Sequence, residues 1–205
     1  PPPRILPDGC VDLLWSDRIG LLVAGPDTVA QVAPVASGRW VGLRFAPGAG
    51  PVALGVPGHE LRDRRVPLDQ LWPEREVRQL TERLASGESP GRLLESVAAD
   101  RLRTAGGPEP LAAAVVDRLV GGESVARTAA AVGLGPRALH RRCRTLFGYG
   151  PKTLARILRM RHALALARSG VPAVQVAVRA GYADQAHLCR EVRSLAGVPL
   201  GALTR

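Results

Sequence analysis

The stretch AAAVGLGPRALHRRCRTLFG, residues 129–148, returns as AVRAGYADQAHLCREVRSLAG, residues 177–197. Each copy holds Ala-x-x-x-Gly, as Ala129 with Gly133 and Ala177 with Gly181. Leu139 and Leu188 follow, each with an arginine two positions on (Arg141, Arg190) and another three beyond that (Arg144, Arg193). Both copies end in glycine, Gly148 and Gly197. The first glycines lie 48 residues apart and the later pairs 49, so the second copy carries one extra residue near its turn. A short helix, a turn at glycine and a second, basic helix make the helix-turn-helix pattern. Two in tandem predict two helices suited to a DNA major groove.

The residue types fit that geometry. Where two helices cross closely the contact must be small, which Ala129 and Ala177 satisfy. The turn needs positive φ, which glycine adopts without a Cβ penalty, so Gly133 and Gly181 mark it. Pro136 is expected in the first turn of its helix, where a missing N–H is harmless. Asp184 is expected to cap the other helix, its carboxylate accepting unpaired amide protons. With Leu139, Leu146, Leu188 and Leu195 turned to the core, Arg137, His140, Arg141 and Arg144 face outward in one copy. Gln185, Ala186, Cys189, Arg190 and Arg193 face outward in the other. Arginine pairs bidentately with guanine and glutamine with adenine, which a helix reading base edges requires. An ordinary pair of amphipathic hairpins would explain one copy; matching core and basic positions in two copies favour DNA reading.

Charge divides the chain in the same place. The formal net charge is +10. From residue 123 to 205 there are 14 basic and 3 acidic side chains, a net of +11, whereas residues 1–122 carry 14 and 15, a net of −1. A segregated basic block is the footprint of a polyanion partner. Membrane-surface binding would need bulky apolar anchors opposite the basic face, and these helices have small or core-type residues there. Sequence-specific RNA modules display aromatic platforms, and the whole chain has seven aromatic residues. The partner expected is therefore double-stranded DNA, with no membrane association.

At 205 residues the chain accommodates one large domain or two small ones. It lacks an apolar run of about 18 residues that would span a membrane, and PPPRILPDGC has no apolar signal region. It opens without methionine, its one Met being Met160, so further residues are expected upstream. The three cysteines, Cys10, Cys143 and Cys189, are an odd number far apart, which predicts reduced thiols and a cytoplasmic setting.

Residues 1–72 read as short strands between turn signals: VDLLW (11–15), GLLVAG (20–25), RWVGLRF (39–45) and PVALGV (51–56). Their spacing predicts a small antiparallel sheet or barrel. Residues 73–103 change to helical periodicity, with Val77, Leu80 and Leu84 on one face. TAGGPEP (104–110) marks the boundary. The expected fold is α+β: residues 1–106 form a β-rich sensor or dimerisation domain with short helices, and residues 107–205 an all-α domain. The latter comprises helix-turn-helix units at 123–148 and 173–197 joined by a long helix at 151–169, apolar at Leu154, Ile157, Leu158 and Leu164.

ARTAAAVGLGPRALHRRCRTLFGYGP, LARILRMRHALAL and VAVRAGYADQAHLCREVRSLAGVPL together resemble the DNA-binding domain of the AraC family of bacterial transcription regulators, over about residues 108–203. The resemblance implies seven helices in two helix-turn-helix subdomains that reach successive major-groove segments. Base-reading positions then fall on Arg137, His140 and Arg141, and on Gln185, Cys189 and Arg190; Arg144 and Arg193 match positions that touch the DNA backbone. The chain departs from the pattern at Cys143 and Val192, where the family has a buried Phe, which bears on how tightly each reading helix packs. The front half resembles the abbreviated β-rich sensor domains of some of these regulators. That implies a small-molecule effector or a homodimer contact, and RNA polymerase as a partner for an activator. No effector-binding residue can be named; Trp15, Trp40, Phe45 and Trp72 would line a cavity or, more commonly, form plain core.

An enzyme is the rival class. DNA-repair methyltransferases that carry this module use four zinc-binding cysteines in front of it, and only Cys10 lies in the front half here. His59 with Glu60 is too little for a metal site, and there is no Walker or G-x-G-x-x-G element. No catalytic residue, metal or cofactor is expected. Two alternatives stay open: a thiol-responsive regulator acting through Cys10 or Cys189, and a non-catalytic interaction module that has lost DNA binding.

Overall fold

The computed structural model describes residues 4–32 and 38–204; residues 1–3, 33–37 and 205, which include the outer ends of both expected domains, lie outside the described residues. In the front half, period-two alternation gives β2 (Asp12–Ser16), β3 (Gly20–Ala24) and β5 (Trp40–Arg44). Together with β6 (Arg65–Pro67) they form an antiparallel sheet of order β5-β2-β3-β6. Leu13 lies opposite Val23 and Leu43, and Trp15 opposite Leu21 and Val41, so these side chains share one face, since alternate residues of a strand point the same way. A short ladder pairs β1 (Arg4–Ile5) with β4 (Gln31–Val32). The sheet is open, not a barrel: among the described residues β5 and β6 are its edges.

PVALGV is a correction to the sequence reading. It forms not a strand but most of α1 (Ala49–Leu54) and the turn after it. Gly48 and Gly55 take left-handed conformations at the two ends (φ 85° and 71°), and Pro51 sits in the first turn, where its missing N–H is tolerated. Central strands exclude proline, and that rule outweighs the alternation of Val52, Leu54 and Val56. The helices α2 (Gly58–Leu61), α3 (Glu74–Ala85) and α4 (Pro90–Thr104) follow. Leu93, Leu94 and Ala98 of α4 join Val11, Leu13, Val23 and Leu68 in the first core.

The second core lies among α5 (Pro110–Val120), α6 (Val125–Ala131), α7 (Pro136–Phe147), α8 (Pro151–Arg168), α9 (Ala173–Arg179) and α10 (Gln185–Ala196). Its axis is α8, about 27 Å long at 1.5 Å per residue, with Leu154, Ile157, Met160 and Ala163 wholly enclosed. No described helix is long and apolar enough to cross a membrane.

Candidate nucleic-acid interface

The internal repeat of the sequence is a repeat of hydrogen bonds. After α6, the Gly133 amide donates to the Ala130 carbonyl (3.1 Å) and the Leu134 amide to Ala129 (2.9 Å). After α9, the Gly181 amide donates to Val178 (3.1 Å) and the Tyr182 amide to Ala177 (2.9 Å). This is the Schellman ending, which needs a left-handed residue at the glycine; the φ values are 69° at Gly133 and 74° at Gly181. Ala129 and Ala177 are buried at the two helix crossings. Pro136 opens α7 after Gly135, and Asp184 caps α10 by accepting the His187 amide (2.6 Å). The extra residue of the second copy therefore lies in its turn, where α10 gains a side-chain cap. Both helices end on left-handed glycines, with the Gly148 amide bonded to Arg144 and the Gly197 amide to Arg193.

Leu139 and Leu188 are both 0% exposed, and Leu146 and Leu195 are buried about two turns beyond them. The opposite faces are open: Arg137, His140, Arg141 and Arg144 are exposed on α7, as are Gln185, Ala186, Cys189, Arg190 and Arg193 on α10. The structure thus brings each predicted set together on one helix face. His140 differs from its neighbours, since its ring lies against the Gly150 backbone, 2.6 Å from where a Cβ there would stand. Cys143 and Val192, the two departures from the usual Phe, are equivalent buried positions in the second core. The smaller groups still close against their neighbours.

Ion pairing sorts the arginines. Arg142 pairs with Glu109, Arg118 with Glu123 (3.2 Å), and Arg156 and Arg159 with Glu191 (3.0 and 3.4 Å). Among the described residues, Arg137, Arg141, Arg144, Arg190 and Arg193 have no carboxylate within salt-bridge distance. The outward faces therefore keep their charge unneutralised. Burial raises the Glu191 carboxyl, but the hydrogen bonds and charges of Arg156 and Arg159 outweigh it and hold the group below its usual range. Glu191, Glu109 and their partners were not visible as a set in the sequence, because 35 residues separate Arg156 from Glu191 and no local period links them.

The thiols bear on the redox alternative. Burial and the nearby Asp8 carboxylate push Cys10 up to about 12, and burial alone takes Cys143 to about 12. Since the thiolate is the reactive form, both are held in the unreactive one. Cys189 is exposed on the outward face of α10. Among the described residues no three His, Cys, Asp or Glu side chains cluster as a metal site would require.

The front-half aromatics do not enclose one cavity. Phe45 and Trp72 are core, Trp15 packs against that core, and Trp40 lies on the edge strand β5. A groove of roughly 640 Å³ runs between α3 and α4, with Trp72, Leu80 and Val97 in its floor and Glu76 and Arg101 at its rim. The Arg101 guanidinium stacks on Trp72 (3.9 Å), pairs with Glu76 (3.0 Å) and donates to the Ala53 carbonyl (3.1 Å).

A family described as a helix-turn-helix domain matches residues 128–205, and one described as a domain of unknown function matches residues 2–67. No curated protein sequence matches. Among solved structures, a probable AraC family transcriptional regulator from Rhodopseudomonas palustris CGA009 is similar at 18% identity, over 47% of this chain and 95% of that one, with a TM-score of 0.41. ToxT from Vibrio cholerae is similar over 98% of this chain and 88% of its own, at 9% identity and a TM-score of 0.48. The same protein bound to (E)-4-(8-methylnaphthalen-1-yl)but-3-enoic acid matches at 10% identity, over 98% and 90% of the two chains, with a TM-score of 0.47.

Proposed function

We propose that this protein, whose residues 128–205 match a family described as a helix-turn-helix domain, is a sequence-specific transcription regulator that sets α7 and α10 into successive major-groove segments of double-stranded DNA. One observation carries the reading. Two helices, each following the same Schellman ending at glycine and each with the same buried leucines and terminal glycine, present arginines that, among the described residues, no carboxylate neutralises. A solvated surface helix has no need of that coincidence, whereas a two-site reader does.

Arg141 and Arg190 stand at the middle of the two faces and are assigned to base edges, with Arg137, His140, Gln185 and Cys189 beside them. Arg144 and Arg193, one turn further on, are assigned to phosphates, where a guanidinium positions the helix without reading sequence. The contact of His140 with Gly150 leaves it the least free of the reading group. Residues 107–205 are assigned as the DNA-binding unit and 1–106 as a sensor unit. The α3–α4 groove is large enough to hold a small effector. The regulator has no chemistry of its own in this reading.

Selection of duplexes from a random-sequence library by the full chain tests the proposal. It requires an enriched sequence with two separate conserved segments, bound more tightly than a scrambled duplex in a gel shift. Equal binding to both duplexes would leave an interaction module or a non-specific polycation in its place.

A further inference from the structure

α7 and α10 each pack on α8 and not appreciably on each other, so within the C-terminal half α8 is the element that connects the two outward faces. The front half supplies a second connection, made to the C-terminal ends of both helices. At α7, the start of α2 lies backbone to backbone with the helix terminus: a Cβ on Gly58 would stand 2.7 Å from the Gly148 nitrogen and 3.0 Å from the Thr145 carbonyl oxygen. A Cβ on Gly148 would in turn stand 2.5 Å from Pro26 and 3.0 Å from the Gly58 carbonyl oxygen, and Phe147 lies against Gly48 at the head of α1. At α10, the Ala30 amide donates to the Leu195 carbonyl at 2.7 Å. That carbonyl is in the last turn, where helix acceptors lack partners of their own. The Arg4 guanidinium lies 3.2 Å from the Cβ position of Gly197, where a cation also suits the helix dipole. Between the two ends, Asp8 bridges Arg44 of the sheet (3.0 Å) and Arg161 of α8 (3.6 Å).

We infer that the N-terminal unit is a brace that fixes the separation and angle of the two reading helices, with Gly58, Gly148 and Ala30 as positioning residues for DNA recognition. The inference rests on the reading that both helices contact DNA. A single rod leaves the far prong free to bend and twist about it; a second strut closes the figure. For a two-site binder, the second contact forms at an effective concentration set by how well the linkage matches the target spacing. Loosening the brace therefore lowers affinity for the complete site and leaves each half-site as it was. The glycines at the contact are required by space: any side chain on Gly58 meets backbone atoms that cannot move aside without shifting the end of α7.

The test uses the full chain with Gly58→Val at the α7 end and, separately, Ala30→Pro, which removes the donor at the α10 end. Neither residue lies on an outward face. The probe is the duplex selected by the wild-type protein, together with two versions in which one half is randomised. The expected result is a fall of about tenfold or more in affinity for the complete duplex, with unchanged affinity for each half. Thermal melting confirms that each variant is folded, and Ala30→Pro, the milder change, carries the test if Gly58→Val does not fold. Unchanged affinity for the complete duplex overturns the brace, as does an equal loss on halves and whole. Tighter binding overturns it too, since the front half would then be restraining the readers. Failure of the wild-type protein to select any sequence overturns the DNA-reading proposal itself.

Discussion

Truncating Arg190 to alanine removes a guanidinium that is exposed on α10 and, among the described residues, has no carboxylate within salt-bridge distance. The fold therefore loses little, and stability is expected to stay within about 0.5 kcal/mol of wild type, as for surface positions without such ties. Binding is different. A bidentate arginine–guanine pair discriminates against the wrong base by about 1–3 kcal/mol, which is a loss of about 5- to 150-fold at 1.4 kcal/mol per decade. Arg141 occupies the matching place on α7, so its replacement by alanine has the same expected size. The two changes lie on helices that hardly touch, so their effects are expected to add in the double variant. The assay is titration of the selected duplex and a scrambled duplex at one fixed salt concentration, followed by a fresh selection with each variant. Each variant should lose its preference at one segment of the site and retain the other. Equal weakening on selected and scrambled DNA would refute the reasoning, because the arginines would then be acting on the phosphate backbone alone.

Arg144→Ala and Arg193→Ala should each reduce the slope of log affinity against log salt by about one unit, the value for one phosphate contact; an unchanged slope removes that assignment. Leu188→Ala should lower stability by about 2–5 kcal/mol, because the side chain is 0% exposed, whereas Val178→Ala, at 72% exposed, should be nearly neutral in the same thermal melt. Glu191→Gln should lower the melting temperature at neutral pH. The Glu191 carboxyl is held below its ordinary 4.5 in the folded chain, so its contribution is present above that value and fades as pH falls through the lowered one. The gap between wild type and variant should accordingly narrow in acid; a gap that stays constant would show that packing, not charge, ties α8 to α10.

The C-terminal half was legible because its signals are steric and local. A helix crossing admits only a small side chain, which marks Ala129 and Ala177, and a Schellman turn favours glycine, which marks Gly133 and Gly181. Proline at the head of α7 and aspartate before α10 work at the same range. The outward faces followed, since fixing the buried leucines of an amphipathic helix fixes the opposite side. In the front half β2, β3 and β5 were legible from alternation. PVALGV was misread because three apolar residues at period two look like a strand, while the deciding constraint was Pro51 in a turn flanked by left-handed glycines. Alternation also could not tell an open sheet from a barrel, because the two differ only in whether the edges meet. Contacts between distant segments left no periodic trace: Gly58 against Gly148, Asp8 with Arg161 and Arg156 with Glu191 each join elements that the sequence places far apart. Gly58 reads locally as an ordinary turn glycine.

The most direct measurement is a methylation-interference footprint of the full protein on its selected duplex, which reports major-groove contact at guanines. Two patches on one face of the duplex, about 10–10.5 base pairs apart, are the expected pattern, with Arg141→Ala erasing one and Arg190→Ala erasing the other. A single patch, or two that vanish together in either variant, would contradict the assignment of separate reading helices.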